Sequence, residues 1–240
     1  MNQKKTAVVT GGTRGIGAAI ANGLVHDGHR VIALARTAPP DLLAEVEVVM
    51  CDITSPAQVE SAFTAIGPVE ILINNAGVST SDPVGRTTVD DWNRNLAVNA
   101  TGAFLCIREV IDHMQTCGWG RVVTVASTAA VEGARYTAAY SASKHAVLGL
   151  MRVLAAEVDG SGVNTNTVCP TFVRTPMTEA TIKNIAERTS SDLATAERRL
   201  AALTPHGRIL EIDEVANAVL SLVANDDHGQ EVLLDGGNKP

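Results

Sequence analysis

The sequence predicts a single doubly wound α/β domain, a parallel seven-stranded sheet with helices on both faces. Three observations carry this. Short apolar runs alternate with helical patterns along the 240 residues, as strands and helices do in a parallel sheet covered on both sides. The first run, Thr6-Ala7-Val8-Val9-Thr10, passes directly into Gly11-Gly12-Thr13-Arg14-Gly15-Ile16-Gly17 and then into the helical pattern Ala18 to Val25. Finally, 45% hydrophobic residues suffice for one large core, and no linker, repeat or low-complexity stretch divides residues 1–240.

In chain order, the strand Thr6 to Thr10 leads through the glycine turn into a helix from Gly15 to His26. Strands follow at Arg30 to Ala35 and Glu47 to Cys51. Only Arg36 to Val46 joins them, close to the minimum for a crossover, which leaves room for one or two helical turns. Ser55-Pro56, a capping residue with proline at the first helical position, opens a helix over Ser55 to Ala65. Next come a strand at Val69 to Asn74, a long helix from Val89 to Cys117 with a break near Asn99, and a strand at Arg121 to Ala126. A helix at Ala139 to Asp159 and a strand at Val163 to Val168 precede helical segments at Glu179 to Thr189 and Asp192 to Leu203. A helix at Ile212 to Val223 and a strand at Glu231 to Leu234 complete the pattern.

A net charge of -7 and a pI near 5.3 argue against a nucleic-acid partner, since phosphate backbones are usually met by a basic face. Cys51, Cys106, Cys117 and Cys169 are widely separated and form no CxxC pair, so they read as reduced thiols in a cytoplasmic protein with no metal site. The first strand begins within six residues of Met1, which leaves no space for a signal peptide. No apolar run approaches the roughly 18 residues a membrane helix needs.

The chemistry is concentrated in Tyr140-Ser141-Ala142-Ser143-Lys144, with Ser127 at the end of an upstream β-type run. On a helix, residues four apart share a face, so a phenol and an ammonium can meet one ligand. A nearby cation favours the phenolate and brings the phenol toward the working range. The same spacing also arises on ordinary surface helices. At the other end of the chain, a strand, glycine turn and helix start make an anion site from free backbone N–H groups. The spacing Gly11, Gly15, Gly17 is not GxGxxG, and glycines also serve plain tight turns.

Taken together, Thr10 to Gly17, Asn74-Asn75-Ala76-Gly77, the series Asn99, Ser127, Tyr140 and Lys144, and Asp235-Gly236-Gly237 resemble the short-chain dehydrogenases/reductases over nearly the whole chain. The resemblance implies a Rossmann-type dinucleotide-binding catalytic domain and an NADP(H)-dependent oxidoreductase. It implies that Gly11, Thr13, Arg14, Gly15, Ile16 and Gly17 form the cofactor-binding turn. Asp52 and Ile53 would meet the adenine, although Asp52 can equally be a helix-entry residue ahead of Ser55. Asn75, Ala76 and Gly77 would border the cofactor ribose, Lys144 with Tyr140 would hold the nicotinamide end, and Val173 and Thr175 would contact the carboxamide. In catalysis Tyr140 would protonate the carbonyl oxygen, Ser127 would hold that oxygen, and Lys144 would lower the Tyr140 pKa. Asn99 would kink its helix and seat a water that leads protons to Lys144. The family usually has glycine where this chain has Thr171, so the loop there must avoid glycine-only angles.

Cofactor choice is read at the end of the second strand. An acidic residue about 20 residues beyond the glycine turn grips the ribose of NAD, whereas an arginine accommodates the 2′-phosphate of NADP. Here the strand ends Leu34-Ala35-Arg36, and Arg14 could reach the same phosphate, so NADP is expected. Solvated surface arginines are the alternative.

The segment at about 171–206 reads as a substrate lid, with a fixed helical pair as the alternative. The stretch Tyr140 to Met177 is most similar to 3-oxoacyl thioester reductases, including polyketide ketoreductases, which implies a small-molecule or carrier-bound carbonyl substrate. A dehydrogenase or reductase of a free sugar, cyclic or aromatic alcohol or ketone is the alternative, and a non-catalytic NADP-binding sensor is the alternative of another class. Arg174 either attracts a thioester's phosphate or pairs with an acidic neighbour such as Glu179. The helices Val89 to Cys117 and Ala139 to Asp159 carry more small and apolar residues than one sheet face should bury, and with the pairing of those helices that the resemblance implies, a homotetramer is expected, with a dimer as second choice.

Overall fold

The computed structural model describes residues 4–37 and 45–237. Seven strands form one sheet: β1 (Thr6–Thr10), β2 (Arg30–Ala35), β3 (Val46–Met50), β4 (Ile71–Asn74), β5 (Gly120–Val125), β6 (Val163–Pro170) and β7 (Glu231–Leu234). The order is β3-β2-β1-β4-β5-β6-β7 and every neighbouring pair is parallel, as expected.

The helices are α1 (Gly15–His26), α2 (Pro56–Ile66), α3 (Val89–Leu96), α4 (Gly102–Cys117), α5 (Ala138–Val158), α6 (Pro176–Thr189), α7 (Leu193–Ala201) and α8 (Ile212–Ala224). Strand side chains alternate between two cores. Ala7, Val9, Val31, Ala33, Ile71, Ile73 and Val123 pack with Ile20 and Leu24 of α1 and Val215 and Val219 of α8. Val8, Ile32, Leu34, Leu72 and Val122 pack with Val59 and Phe63 of α2, Leu105 and Val110 of α4, and Met151 of α5. Each such apolar side chain stabilises the fold by about 1.5–3 kcal/mol when fully buried, so both layers contribute to holding the sheet between them.

Most element ends fall within two residues of expectation. The main correction is α6, which begins at Pro176 rather than Glu179. There Thr175 accepts from the Thr178 N–H as the cap and proline takes the first helical position. The break near Asn99 is a widened turn, not an interruption: residues Ala97–Thr101 form one π-helical turn between α3 and α4. The connection from Arg36 to Val46, expected to hold one or two helical turns, lies largely outside the described residues.

Chain order reverses between β1 and β4, which pair directly. In such sheets the crevice outside the carboxyl ends of the strands at this reversal is where ligands bind. Thr10 and Asn74 end those two strands, so the fold directs attention to the loops that follow them.

Candidate active site

The glycine turn after β1 needs its glycines. Gly11 and Gly15 have φ of 64° and 55°, left-handed values costly for other residues. A side chain at Gly17 would fall on the Gly11 carbonyl and the Asn75 amide. Arg14, extended at φ -159°, precedes α1 with no side-chain cap on the helix, and its own side chain is exposed. Ile16 is partly buried and packs against the core beneath.

Thr10 fastens the turn to the loop after β4. Its hydroxyl accepts from the N–H groups of Asn75 and Ala76, both at 3.0 Å, while Asn75 Nδ2 donates to the Thr10 carbonyl at 3.0 Å. Asn75 is thereby spent on structure. The sequence reading took Thr10 for a strand residue, and its place at the last position before the glycines was the available signal. This glycine cradle at an uncapped helix start fits a dinucleotide's phosphates.

Beyond β2 and β3, Arg36, Met50, Cys51, Asp52 and Gln58 line a shallow cleft. Asp52 Oδ1 accepts from Thr54 N at 2.9 Å and Thr54 Oγ1 at 2.7 Å, which holds the carboxyl below its usual range. It is thus a turn-forming residue as well as a cleft residue. Ile53 is buried, with its side chain and carbonyl against Gly102. Arg14 and Arg36 are exposed and make no hydrogen bond or ion pair among the described residues.

The four residues read as catalytic converge at the ends of β4 and β5. Ser127 follows β5; its Oγ accepts from Ala129 N at 3.1 Å, and its hydroxyl stands near enough to the Tyr140 phenol to act on its pKa. Burial pushes the Tyr140 phenol above its usual value, and the Ser127 hydroxyl partly opposes this. Lys144, buried one turn further along α5, donates to the Val125 carbonyl at 2.9 Å and is lowered to about 8 by burial. Its ammonium stands 5.8 Å from the Tyr140 ring centroid. The expected lowering of the phenol by Lys144 is not what governs Tyr140 in this arrangement: burial raises it, and the opposing influence comes from Ser127.

Asn99, in the widened turn, accepts from Val78 N at 2.8 Å and donates to Val78 O and Ser143 Oγ, each at 2.9 Å. A carbon placed on Gly77 would lie 3.3 Å from Asn99 Oδ1 and 3.7 Å from Lys144 Nζ. Gly77 thus sits where the loop after β4 meets Asn99 and Lys144.

Val173 is buried and bridges to Leu210, and Thr175 caps α6. Thr175 also stands beside the glycine turn, 3.9 Å from a carbon placed on Gly15. Thr171 needs no left-handed angle; among the described residues only Tyr136 and Ser190 adopt one without being glycine. Arg174 pairs with Glu197 at 3.0 Å and Glu211 at 3.1 Å, not with Glu179. It is no free cation awaiting a phosphate. α6 and α7 share a small core of Ile182, Ala186, Ala196 and Leu200. Arg188 of α6 pairs with Asp82 at 3.2 Å, and the Asp82 N–H donates to the Tyr136 carbonyl.

Among the described residues the cysteines are free, three buried and Cys117 exposed, and none joins a metal-binding cluster. No described helix is long and apolar enough to cross a membrane.

Residues 5–186 match the family model described as short chain dehydrogenase. The chain is 32% identical to a D-beta-hydroxybutyrate dehydrogenase of Rhizobium meliloti, covering 97% of this chain and 98% of that protein. It is 36% identical to the granaticin polyketide synthase putative ketoacyl reductase 1 of Streptomyces violaceoruber, over 93% of this chain and 88% of the relative. Among solved structures, an actinorhodin polyketide ketoreductase with NADPH superposes with a TM-score of 0.91 at 32% identity, over 98% of this chain and 97% of the other.

Proposed function

This chain belongs to the short-chain dehydrogenase/reductase family and is an oxidoreductase that uses a nicotinamide cofactor, and on that premise we propose that it reduces a ketone to a secondary alcohol with NADPH. The substrate we favour is a 3-oxoacyl thioester, on acyl-carrier protein or coenzyme A, or a polyketide. The observation that carries the reaction type is the buried Lys144 ammonium, tied to Val125 and 5.8 Å from the Tyr140 ring centroid, with the Ser127 hydroxyl acting on the same phenol.

NADPH, when bound, supplies the hydride. Tyr140 Oη, kept protonated by burial, delivers its proton to the substrate oxygen, and Ser127 Oγ holds that oxygen as it gains charge. Lys144 gives one of its three N–H donors to Val125, leaving two for ribose hydroxyls and a proton path. Asn99 holds the widened turn beside it, whose displaced backbone carbonyl suits a water on that path. Arg14 and Arg36 are free to hold the cofactor's 2′-phosphate by charge-assisted hydrogen bonds, with Asp52 and Ile53 at the adenine and Val173 and Thr175 at the carboxamide.

Support for the thioester reading is the similarity to the two ketoreductases. The hydroxybutyrate dehydrogenase similarity favours the second reading, a dehydrogenase or reductase of a free alcohol or ketone. A non-catalytic NADP sensor would need no proton relay. Loss of NADPH absorbance across a panel decides among them: acetoacetyl-coenzyme A and longer 3-oxoacyl thioesters against simple cyclic ketones and sugars. Faster turnover of the thioesters supports the first reading, preference for free ketones the second, and no turnover of any the sensor.

The pair α6 and α7 is our candidate lid at about 171–206, latched through Arg188 and Asp82. Exposed Phe104 on α4 and Val153 on α5 support a homotetramer. The free cysteines favour the cytoplasm.

A further inference from the structure

We propose that Ser143 is a positioning residue for the reaction, joining the Asn99 amide to the Tyr140 carbonyl so that the widened turn at 97–101 is held against the catalytic turn of α5. The proposal rests on the reading of Asn99, Tyr140 and Lys144 as the reacting group.

Ser143 is fully buried. Its hydroxyl donates to the Tyr140 carbonyl at 2.7 Å. A helical serine bonded back to the preceding turn is common and on its own signifies little. Here the same oxygen also accepts from Asn99 Nδ2 at 2.9 Å, from a residue 44 positions upstream in another element. Among the described residues this is the sole side-chain hydrogen bond between the turn at 97–101 and α5. Asn99 is bonded in turn to both backbone groups of Val78, in the loop after β4. The chain of bonds from Val78 through Asn99 and Ser143 to Tyr140 therefore links three separate segments without water.

The next residue along α5 is Lys144, whose ammonium reaches Val125. Tyr140 and Cys169 are the titratable groups that face it. The hydrogen bonds of Ser143 thus set the spacing between Lys144 and the turn that seats the proton path. Alanine at 143 removes the Asn99 tie and leaves a buried amide N–H short of a partner, a deficit of the size that changes rates about tenfold or more.

The test is steady-state kinetics on Ser143→Ala, Ser143→Thr, Asn99→Ala and the Ser143→Ala/Asn99→Ala double variant. Acetoacetyl-coenzyme A serves as the ketone or, where that thioester is not turned over, the best free ketone of the panel. Thermal unfolding checks that each variant folds. Ser143→Ala is expected to lower kcat about tenfold or more with KM for NADPH within about twofold, and to move the pH profile of kcat. Ser143→Thr, which keeps the hydroxyl, restores most of the rate. The double variant falls no further than Asn99→Ala alone, because both act through one contact. Multiplying losses in the double variant, or a normal Ser143→Ala enzyme beside an impaired Asn99→Ala one, would overturn the proposal while leaving the catalytic reading in place. A normal Asn99→Ala enzyme would instead remove the catalytic role of Asn99 and the proposal with it.

Discussion

Lys144 Nζ donates to the Val125 carbonyl at 2.9 Å, so an ammonium from the middle of a helix is anchored to the last residue of a core strand. The contact keeps the cation beside Tyr140 with no carboxylate near it, and burial lowers its pKa to about 8. The site therefore holds a base that titrates near neutrality, at a cost to stability.

That cost has a sign. An unfolded lysine keeps its proton to about pH 10.4, while folded Lys144 releases it near 8, so the unfolded state binds more protons between those values. Stability from this group accordingly rises with pH through that window. Tyr140, raised by burial, opposes it above about pH 10, where an unfolded phenol ionises. Urea unfolding of the cofactor-free protein and of Lys144→Met from about pH 7.5 to 9.5 should show Lys144→Met more stable at the acid end and the two converging at the alkaline end. Parallel curves across the range would mean that Lys144 is not depressed.

Tyr140→Phe keeps the ring and removes the transferable proton. Turnover should fall by roughly 10² to 10⁴, with NADPH affinity by fluorescence titration little changed. Near-native turnover would exclude Tyr140 as the proton donor.

Arg36 is exposed at the end of β2, after Ala35, with no hydrogen bond or salt bridge among the described residues and with Asp52 in the same cleft. The native protein should bind NADPH well ahead of NADH, and Ala35→Asp with Arg36→Leu should reverse the order. A titration in which the native protein prefers NADH would refute the assignment.

Arg174, held by Glu197 and Glu211, links the segment before α6 to α7 and to the start of α8. Exposed pairs of this kind contribute about 0–1 kcal/mol each. Arg174→Ala should lower stability slightly and leave KM for acetoacetyl-coenzyme A within about twofold of native. A rise in KM confined to phosphate-bearing substrates would mean that the arginine leaves its carboxylates to meet them.

The fold was legible because strand, glycine turn and helix follow one another in order, and alternation of apolar runs survives any local ambiguity. Within the site, Ser127, Tyr140 and Lys144 were legible for the same reason: they lie on two elements whose ends are set by β5 and α5. Contacts between distant segments were not. The place of Thr10 just before the glycines hints at a role in the turn but does not name Asn75 as its partner, and nothing local marks Ser143 as the acceptor for Asn99, since each bond depends on how separate elements pack. The partners of Arg174 were missed similarly: Glu179 is near in sequence, whereas Glu197 and Glu211 are brought to it by α7 and the α8 start. Local spacing also gave no measure of desolvation, which sets the direction of the Tyr140 shift.

The pairing of β1 with β4 dictates when the site can exist during synthesis. Thr10 waits 65 residues for Asn75. At the ~5–20 residues per second of translation, the inner edge of β1 is left without its neighbour for about 3–13 s. Until β4 arrives, the glycine turn has no clasp, and a nascent chain cannot hold its cradle in the shape that grips a nucleotide. Ribosome-stalled chains ending shortly after β3 should therefore fail to be retained on an NADP affinity resin, whatever helix α1 has already formed.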